Sequence, residues 1–301
     1  MKLDFAIIGG QKCGSTYLQE IIYQHPNVQM VEGECPHFES PDYENDGLFR
    51  LNKLLKNLDQ SKCIGIKRPN YLSRLEVPER IKKINRDIKL ILILRNPLER
   101  LRSAYFHYMN YGFSPVLPLN EGVEKILSGK LFAKYHHTAS LIEFGFYAKF
   151  LKIYLQEFDH SNLLVLLHDD LKKDKLSVIR RCYSFLNIDT NFVPHHNSLE
   201  SRPQKVNYSL IRTKILAKKN RFQFSYNNEK TRLFVKDQTE WDKLICRNID
   251  RIDRYIINKL TDNNKKPQFN ERIKRRLHDL YNSEIEELEK LLSVDLTIWK
   301  G

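Results

Sequence analysis

Short apolar runs alternate with amphipathic segments along the first 190 residues of the chain. Runs of mainly aliphatic and β-branched residues, each bounded by polar turns, predict buried strands at residues 5–8, 63–66, 88–94 and 163–167. Helical periodicity predicts helices at about residues 15–25, 97–109, 143–157 and 175–186. This alternation is typical of an α/β fold with a central, mainly parallel sheet flanked by helices.

The pattern changes in the last third of the chain. Residues 198–246 are polar, basic and rich in Asn, and we interpret them as a surface excursion. A final apolar stripe with helical spacing predicts a closing helix over about residues 269–293. The chain shows no internal repeat and no low-complexity segment, so we expect one domain over residues 1–301.

Composition limits the class of protein. Hydrophobic residues make up 41% of the 301 residues, which is enough for a sizeable core and argues against global disorder. Fifty Lys and Arg against 37 Asp and Glu leave a formal net charge of +13, which indicates an anionic partner. The charge alone leaves nucleic acid, a membrane surface, a phosphorylated cofactor and an acidic polysaccharide open.

Cysteine usage and hydropathy indicate the compartment. The five cysteines include no C-x-x-C pair, so the sequence predicts neither a zinc site nor a disulfide scaffold and favours a reducing compartment. The apolar runs are far shorter than the ~20 residues of a membrane helix, and no apolar leader follows the first residues. We therefore expect a complete cytoplasmic chain with no transmembrane segment.

A glycine-rich loop, GGQKCGST at residues 9–16, lies between the first predicted strand and the first predicted helix. Glycines expose backbone N–H groups, and a helix N-terminus adds positive potential, so the loop has the features of a phosphate cradle. It departs from the pattern G-x-x-x-x-G-K-[ST], because Ser15 stands where that pattern has lysine, and the lysine lies inside the loop as Lys12. The departure weakens the hypothesis of a magnesium-dependent kinase. In such a kinase, Asp169 and Asp170 would be the acids available to bind magnesium.

A second motif spans residues 92–105. It places Arg95 at the carboxyl end of a predicted strand and Ser103 in the helix that follows. Ligands of open α/β sheets bind at the carboxyl ends of the strands, and arginine suits bidentate contact with phosphate. We expect Arg95 and Ser103 to converge on a second phosphate group.

With both motifs, the sequence resembles the sulfotransferases that use 3′-phosphoadenosine 5′-phosphosulfate (PAPS), and among them the heparan sulfate glucosaminyl 3-O-sulfotransferases. The resemblance covers about residues 4–190 and returns in LHDLY at 277–281 and DLTIW at 295–299. It implies a P-loop-like nucleotide-binding fold, with Lys12 as the catalytic lysine and Arg95 and Ser103 on the 3′-phosphate. The donor-binding residues that it implies are Gln11, Lys12, Cys13, Gly14, Ser15, Thr16, Arg95, Ser103 and, more weakly, Lys205.

Two further segments extend the resemblance. In KRPNY at residues 67–71, Lys67 takes the place of a family lysine beside the transferred group. In ECPHF at 34–38, the family has a glutamate as general base, but the match slips by one residue. Aligning His37 puts Cys35 at the glutamate position, whereas an inserted residue leaves Glu34 in that role. Both Glu34 and His37 therefore stand as candidate bases.

The expected reaction is direct, in-line transfer of a sulfuryl group from PAPS to a hydroxyl of a saccharide, with an amine as the weaker alternative. The positive net charge favours an acidic saccharide. It leaves adenosine 3′,5′-bisphosphate (PAP), and since sulfuryl transfer needs less charge neutralisation than phosphoryl transfer, we expect no metal. The alternatives are a lipid, small-molecule or tyrosyl acceptor, an ATP-dependent kinase, and a non-catalytic binder of polyanions. No nucleic-acid motif is present, and the sequence predicts no oligomeric state.

Overall fold

The computed structural model describes residues 1–196, 206–227, 232–260 and 266–301. The chain divides into two compact units, each built from separate stretches of sequence. The first unit consists of Met1–Asn96, Phe146–Gln204 and Glu284–Trp299, and the second of Pro97–Gly145, Lys205–Ser283 and Lys300–Gly301. The expectation of a single domain stays a prediction.

A parallel sheet forms the centre of the first unit. Its strands in the described residues are β1 (Phe5–Gly9), β2 (Val28–Met30), β3 (Cys63–Lys67), β4 (Lys89–Leu94) and β5 (Leu163–Leu167). They are arranged in the order β2-β3-β1-β4-β5, and every neighbouring pair is parallel. The predicted α/β fold is confirmed, and the strand that sequence analysis missed, β2, has only three residues.

Close packing explains the sequence of the central strands. All five residues of β1 are buried, and β4 is buried after its first residue. Phe5 in β1 pairs with Gly65 in β3, and a Cβ atom at Gly65 would lie 2.2 Å from the Phe5 ring. Glycine is therefore required where this ring crosses the neighbouring strand.

Helices follow or separate the strands. Numbered along the described chain, they are α1 (Ser15–Ile22), α2 (Gly47–Lys56), α3 (Val77–Ile84), α4 (Pro97–Asn110), α5 (Leu119–Leu127), α6 (Ser140–Glu143), α7 (Tyr147–Glu157), α8 (His168–Lys173), α9 (Lys175–Leu186), α10 (Leu210–Gln223), α11 (Glu240–Ile252), α12 (Asn258–Leu260) and α13 (Glu271–Leu292). Proline begins α4, since its fixed φ suits the first turn and its missing N–H has no helical partner there. The last helix lies inside the range 269–293 expected from the apolar stripe.

The second unit gives regular structure to much of the polar region around residues 198–246. It contains α10, the start of α11 and an antiparallel pair, β6 (Phe224–Tyr226) and β7 (Leu233–Val235). Polar side chains are used internally: Thr213 in α10 donates to Asn110 Oδ1 at 3.1 Å, and Arg212 pairs with Asp253 at 2.7 Å. Hydropathy cannot reveal such pairing, so the sequence predicts only a surface excursion here.

Two further observations concern the environment of the chain. None of the five cysteines, all of which lie in the described residues, forms a disulfide. Among the helices that the structure describes, none combines the length and the apolar character that crossing a bilayer requires.

Candidate active site

The glycine-rich loop joins β1 to α1. Its backbone is closed by hydrogen bonds from the Gly10 N–H to the Ile93 carbonyl, 2.8 Å, and from the Cys13 N–H to the Gly10 carbonyl, 3.2 Å. Gly14 precedes the first turn of α1 in a left-handed conformation, with φ of 109°, and no described side chain caps the helix. A helix start of this kind presents N–H groups and the positive end of the helix dipole to an anion.

Lys12 lies inside this loop in a cationic setting. Its backbone is also left-handed, with φ of 63°, and its carbonyl accepts a hydrogen bond from Arg95 Nη1 at 3.4 Å. Burial lowers the pKa of Lys12 to about 8; the charge of Glu34 opposes this shift, and those of Arg95 and Lys67 add to it. A bound anion would favour the protonated amine, so the site gains positive charge as it is filled.

Lys67 ends β3 and points toward the start of α1. The residue is only 4% exposed, and its Nζ donates to Thr16 Oγ1 at 3.2 Å. The same Nζ lies 3.6 Å from Glu34 Oε1. The structure thus brings together two of the predicted catalytic residues, and the cluster of Lys12, Lys67 and Arg95 carries more positive charge than Glu34 offsets.

An arginine that sequence analysis did not single out holds Glu34. Arg68 Nη1 donates to Glu34 Oε2 at 2.8 Å, while its Nε and Nη2 form a bidentate pair with Glu39 at 2.6 and 2.8 Å. Glu39 is buried, whereas the Glu34 side chain is 42% exposed. Burial opposes the charge of Arg68, but hydrogen bonding by Glu39 and Glu34 raises its pKa above the ordinary value. The buried pair fixes the guanidinium, and the guanidinium positions the exposed carboxylate.

Tyr71, the aromatic residue of the KRPNY segment, binds the backbone of the ECPHF segment. It is fully buried, its hydroxyl donates to the Cys35 carbonyl, and it accepts from the Phe38 N–H at 3.3 Å. The Cys35 N–H in turn donates to the Lys67 carbonyl at 3.0 Å. Burial raises the pKa of the Cys35 thiol to about 12, so this residue is a neutral part of the loop scaffold.

His37 lies in a different electrostatic environment from Lys12. Burial lowers its pKa, and the charged groups that act on it are Arg50, Asp42 and Asp46 around the start of α2. Its Nδ1 is buried and has no hydrogen-bond partner among the described residues. The structure therefore places Glu34, and not His37, in ion-pair contact with Lys67.

The other residues predicted to bind PAPS lie at several places in the structure. Gln11 Nε2 donates to Asn70 Oδ1 at 3.1 Å, and the buried Cys13 lies with its Sγ 3.5 Å from the Tyr147 hydroxyl. That hydroxyl donates to the Arg95 carbonyl at 2.9 Å, at the end of β4. Ser103 is buried within α4 of the second unit, and Lys205 lies outside the described residues.

The acids required by the kinase alternative have other partners. Asp169 accepts a hydrogen bond from Trp299 Nε1 at 2.9 Å and pairs with Lys172 at 3.0 Å. Burial opposes ionisation of Asp169, but these two hydrogen bonds lower its pKa. Asp170 lies 3.7 Å from Arg181. No cluster of three or more His, Cys, Asp or Glu side chains that could hold a metal ion occurs among the residues described.

Known proteins share sequence similarity with this chain. The sulfotransferase domain family matches residues 2–291. The mouse heparan sulfate glucosamine 3-O-sulfotransferase 3A1 is 29% identical over 190 residues, which is 63% of this chain and 47% of that protein. The firefly Photinus pyralis luciferin sulfotransferase is 26% identical over 230 residues, 66% of this chain and 56% of that protein. The chain spans about half the length of these relatives.

A solved structure shows the same fold across the whole chain. The sulfotransferase of Alicyclobacillus acidocaldarius superposes with a TM-score of 0.67 at 19% identity and covers 99% of both chains. The parallel sheet and the glycine-rich loop before α1 therefore belong to a fold that this chain shares with that sulfotransferase. Since the family match extends over nearly all of the sequence, the chain belongs to the sulfotransferase domain family.

Proposed function

We propose that this protein transfers a sulfuryl group from PAPS to a hydroxyl group of a saccharide. The observation that carries the proposal is the cluster formed by Lys12, Lys67 and Glu34 beside the start of α1. The two lysines and the helix start favour an anionic donor, and the carboxylate is the group that can take a proton. Family membership supports the donor, because the sulfotransferases it resembles use PAPS.

The proposed step is a direct displacement at sulfur. The acceptor oxygen forms a bond to sulfur as the bond between sulfur and the bridging phosphate oxygen breaks, which releases PAP. Glu34 receives the hydroxyl proton, and Lys12 and Lys67 stabilise the charge that develops on the bridging and transferred oxygens. Arg95 is proposed to hold the 3′-phosphate, and the cations of the chain replace a metal in this scheme.

Lys67 and Arg68 give the proposed base two different neighbours. The Lys67 ammonium lies 3.6 Å from one carboxylate oxygen, and Arg68 bonds the other at 2.8 Å. Because Arg68 is fixed by the buried Glu39, Glu34 has a defined orientation although its side chain reaches solvent. An exposed but oriented carboxylate is suited to meet an acceptor that arrives from outside.

The carbohydrate acceptor rests on similarity to heparan sulfate 3-O-sulfotransferases and on the net charge of +13, which suits an acidic glycan. A small phenolic acceptor is the second candidate, and the similarity to a luciferin sulfotransferase favours it. The absence of disulfides among the five cysteines fits the proposed cytoplasmic location.

Sulfate transfer from labelled PAPS to a panel of glycans, lipids, phenols and tyrosyl peptides tests the proposal. We expect a mass increase of one sulfate group on a saccharide, and PAP binding in calorimetry. Glu34→Gln should lower kcat by about 10²- to 10⁴-fold while PAP binding persists. His37→Gln is the matched comparison, and a greater loss of kcat in that variant would assign the proton transfer to His37.

Two outcomes separate the parts of the proposal. Transfer to a phenol but to no saccharide would keep the donor chemistry and replace the acceptor. Binding of ATP with magnesium, without any binding of PAP, would overturn the assignment of the glycine-rich loop.

A further inference from the structure

The outer face of α11 carries an unusual row of exposed apolar side chains. The helix runs over Glu240–Ile252 and continues through a π-helical turn at Asp253–Ile257 into α12. Residues spaced by three or four positions share one face of a helix. The exposed apolar residues of this segment are Trp241, Leu244, Ile252, Tyr255, Ile256 and Leu260. We call them the apolar row; its first member, Trp241, is 75% exposed.

A second row, of cations, runs beside the first. Its members are Lys243, Arg247, Arg251 and Arg254, and all four are exposed. In the sequence, each of these cations directly precedes a residue of the exposed face. That face consists of the apolar row and of Asn248, which lies between Leu244 and Ile252. The two rows are therefore parallel along the helix, and we call the second the basic row.

The acids of the same helix mostly point elsewhere. Asp250 pairs with Lys219 of α10 at 2.6 Å, and Asp253 pairs with Arg212 of α10 at 2.7 Å. At the helix start, Asp242 is engaged in a capping box with Thr239, and Glu240 pairs with Lys243. Glu240 thus offsets Lys243 of the basic row, whereas Asp250 and Asp253 pair with α10. The three arginines of the basic row give the outer face its positive surplus.

We propose that this face of the second unit docks on the surface of a bilayer that contains anionic phospholipids. An apolar strip flanked by Lys and Arg matches the acyl boundary and the charged headgroups of such a surface, and Trp and Tyr favour that boundary. A nucleic acid or an acidic glycan would use the basic row but gain little from six exposed apolar side chains. A second copy meeting this face two-fold would bring basic rows together, which repel.

The tryptophan content of the chain makes the test direct. Trp299 is 1% exposed, so a change in tryptophan emission on adding vesicles reports on Trp241. We expect a blue shift and co-sedimentation with vesicles of phosphatidylcholine and phosphatidylserine, and neither with phosphatidylcholine alone. Trp241→Phe should abolish the shift and retain most of the co-sedimentation.

Paired substitutions separate the two rows. Arg247→Glu with Arg251→Glu should weaken vesicle binding by about 100-fold or more, and Leu244→Ser with Ile252→Ser by at least about tenfold. Phe49→Ser in α2 of the first unit is the matched control, since Phe49 is 73% exposed and lies outside the proposed face. Circular dichroism and thermal melts verify that each variant is folded.

Several results would overturn the proposal. One is the absence of binding to anionic vesicles. Another is binding that depends on the basic row but is unchanged by the paired serine substitutions. Such binding would indicate that the natural partner of this face is a polyanion. A third is a shift of Trp241 emission with protein concentration in the absence of vesicles, together with a dimer in sedimentation. These two observations would show that the face serves self-association. An equal loss of binding in Phe49→Ser would remove the localisation to α11.

Discussion

Lys12 combines a buried position, which disfavours its charge, with a proposed role that requires the charge. Burial within the loop lowers its pKa to about 8, and Arg95 and Lys67 add to that effect. At the scale of single residues, the proposed site therefore loses stability in the empty protein, and we expect a bound anion to restore it.

The pH dependence of stability follows from this shift. Since the folded pKa of about 8 lies below the ordinary value of 10.5, the unfolded chain binds more protons between these two pH values. The destabilisation by Lys12 is therefore full below pH 8 and fades as the pH rises toward 10.5. Lys12→Met should stabilise the protein by about 1 to 3 kcal/mol at neutral pH and lower kcat by about 10²- to 10³-fold.

Urea denaturation at neutral pH and near pH 10.5 measures this effect. The gain should be present at the lower pH and absent at the higher one. A gain of equal size at both would mean that packing of the methionine, and not the removed charge, stabilises the variant.

Arg68 is a positioning residue in the proposed mechanism. Arg68→Lys keeps a positive charge but loses the bidentate geometry toward Glu39, so Glu34 should lose its fixed orientation. We expect kcat to fall by about tenfold with PAP affinity unchanged. Steady-state kinetics and calorimetry with PAP measure the two quantities.

Arg50→Lys is the matched control for that variant, because Arg50 pairs with Asp42 and acts on His37. It should leave kcat within about twofold of the parent. If Arg50→Lys lowers kcat more than Arg68→Lys does, the assignment of Glu34 as base fails.

At the scale of elements, the junction of β1 and α1 forms the proposed donor site. The strand is buried on both faces, and the helix begins at a left-handed glycine and without a capping side chain among the described residues. A capped helix would satisfy its own first N–H groups, whereas this helix start keeps them for an anion. The local geometry of Gly14 therefore decides whether the loop can bind phosphate.

Gly14→Ala tests this element. With φ of 109° the alanine would be strained, and its Cβ would lie 3.4 Å from His168. We expect a loss of about 1 to 2 kcal/mol in the free energy of unfolding and at least a tenfold loss in PAP affinity. Urea denaturation and calorimetry provide the two measurements.

Gly33→Ala is the control for backbone strain alone. Gly33 has φ of 77°, and a Cβ there meets nothing within 4 Å. It should show a similar loss of stability with unchanged PAP affinity. Equal loss of PAP affinity in both variants would show that general destabilisation, and not the loop geometry, reduces binding.

At the scale of the whole molecule, the positive net charge bears on whether sulfate transfer needs a metal ion. The surplus of 50 Lys and Arg over 37 Asp and Glu supports the proposal that the chain supplies its own cations to an anionic donor. Sulfate transfer should therefore continue in the presence of EDTA, at more than about half of the rate without chelator. Initial rates with EDTA, and with magnesium added back, measure this, and a loss restored only by magnesium would contradict the proposed mechanism.

The sequence by itself predicted β1, β3, β4 and β5 with the helices α1, α7 and α9 of the first unit, and the position of the glycine-rich loop that contains Lys12. These features follow from local pattern, since burial on both faces imposes continuous apolar runs and a tight anion-binding turn demands glycine. Only the tertiary structure decided which side chain near residue 34 meets Lys67. Contacts such as Glu34–Arg68–Glu39 join residues about 30 positions apart, and their ion pairing depends on how β3 and the preceding loop are brought together, which no local periodicity encodes.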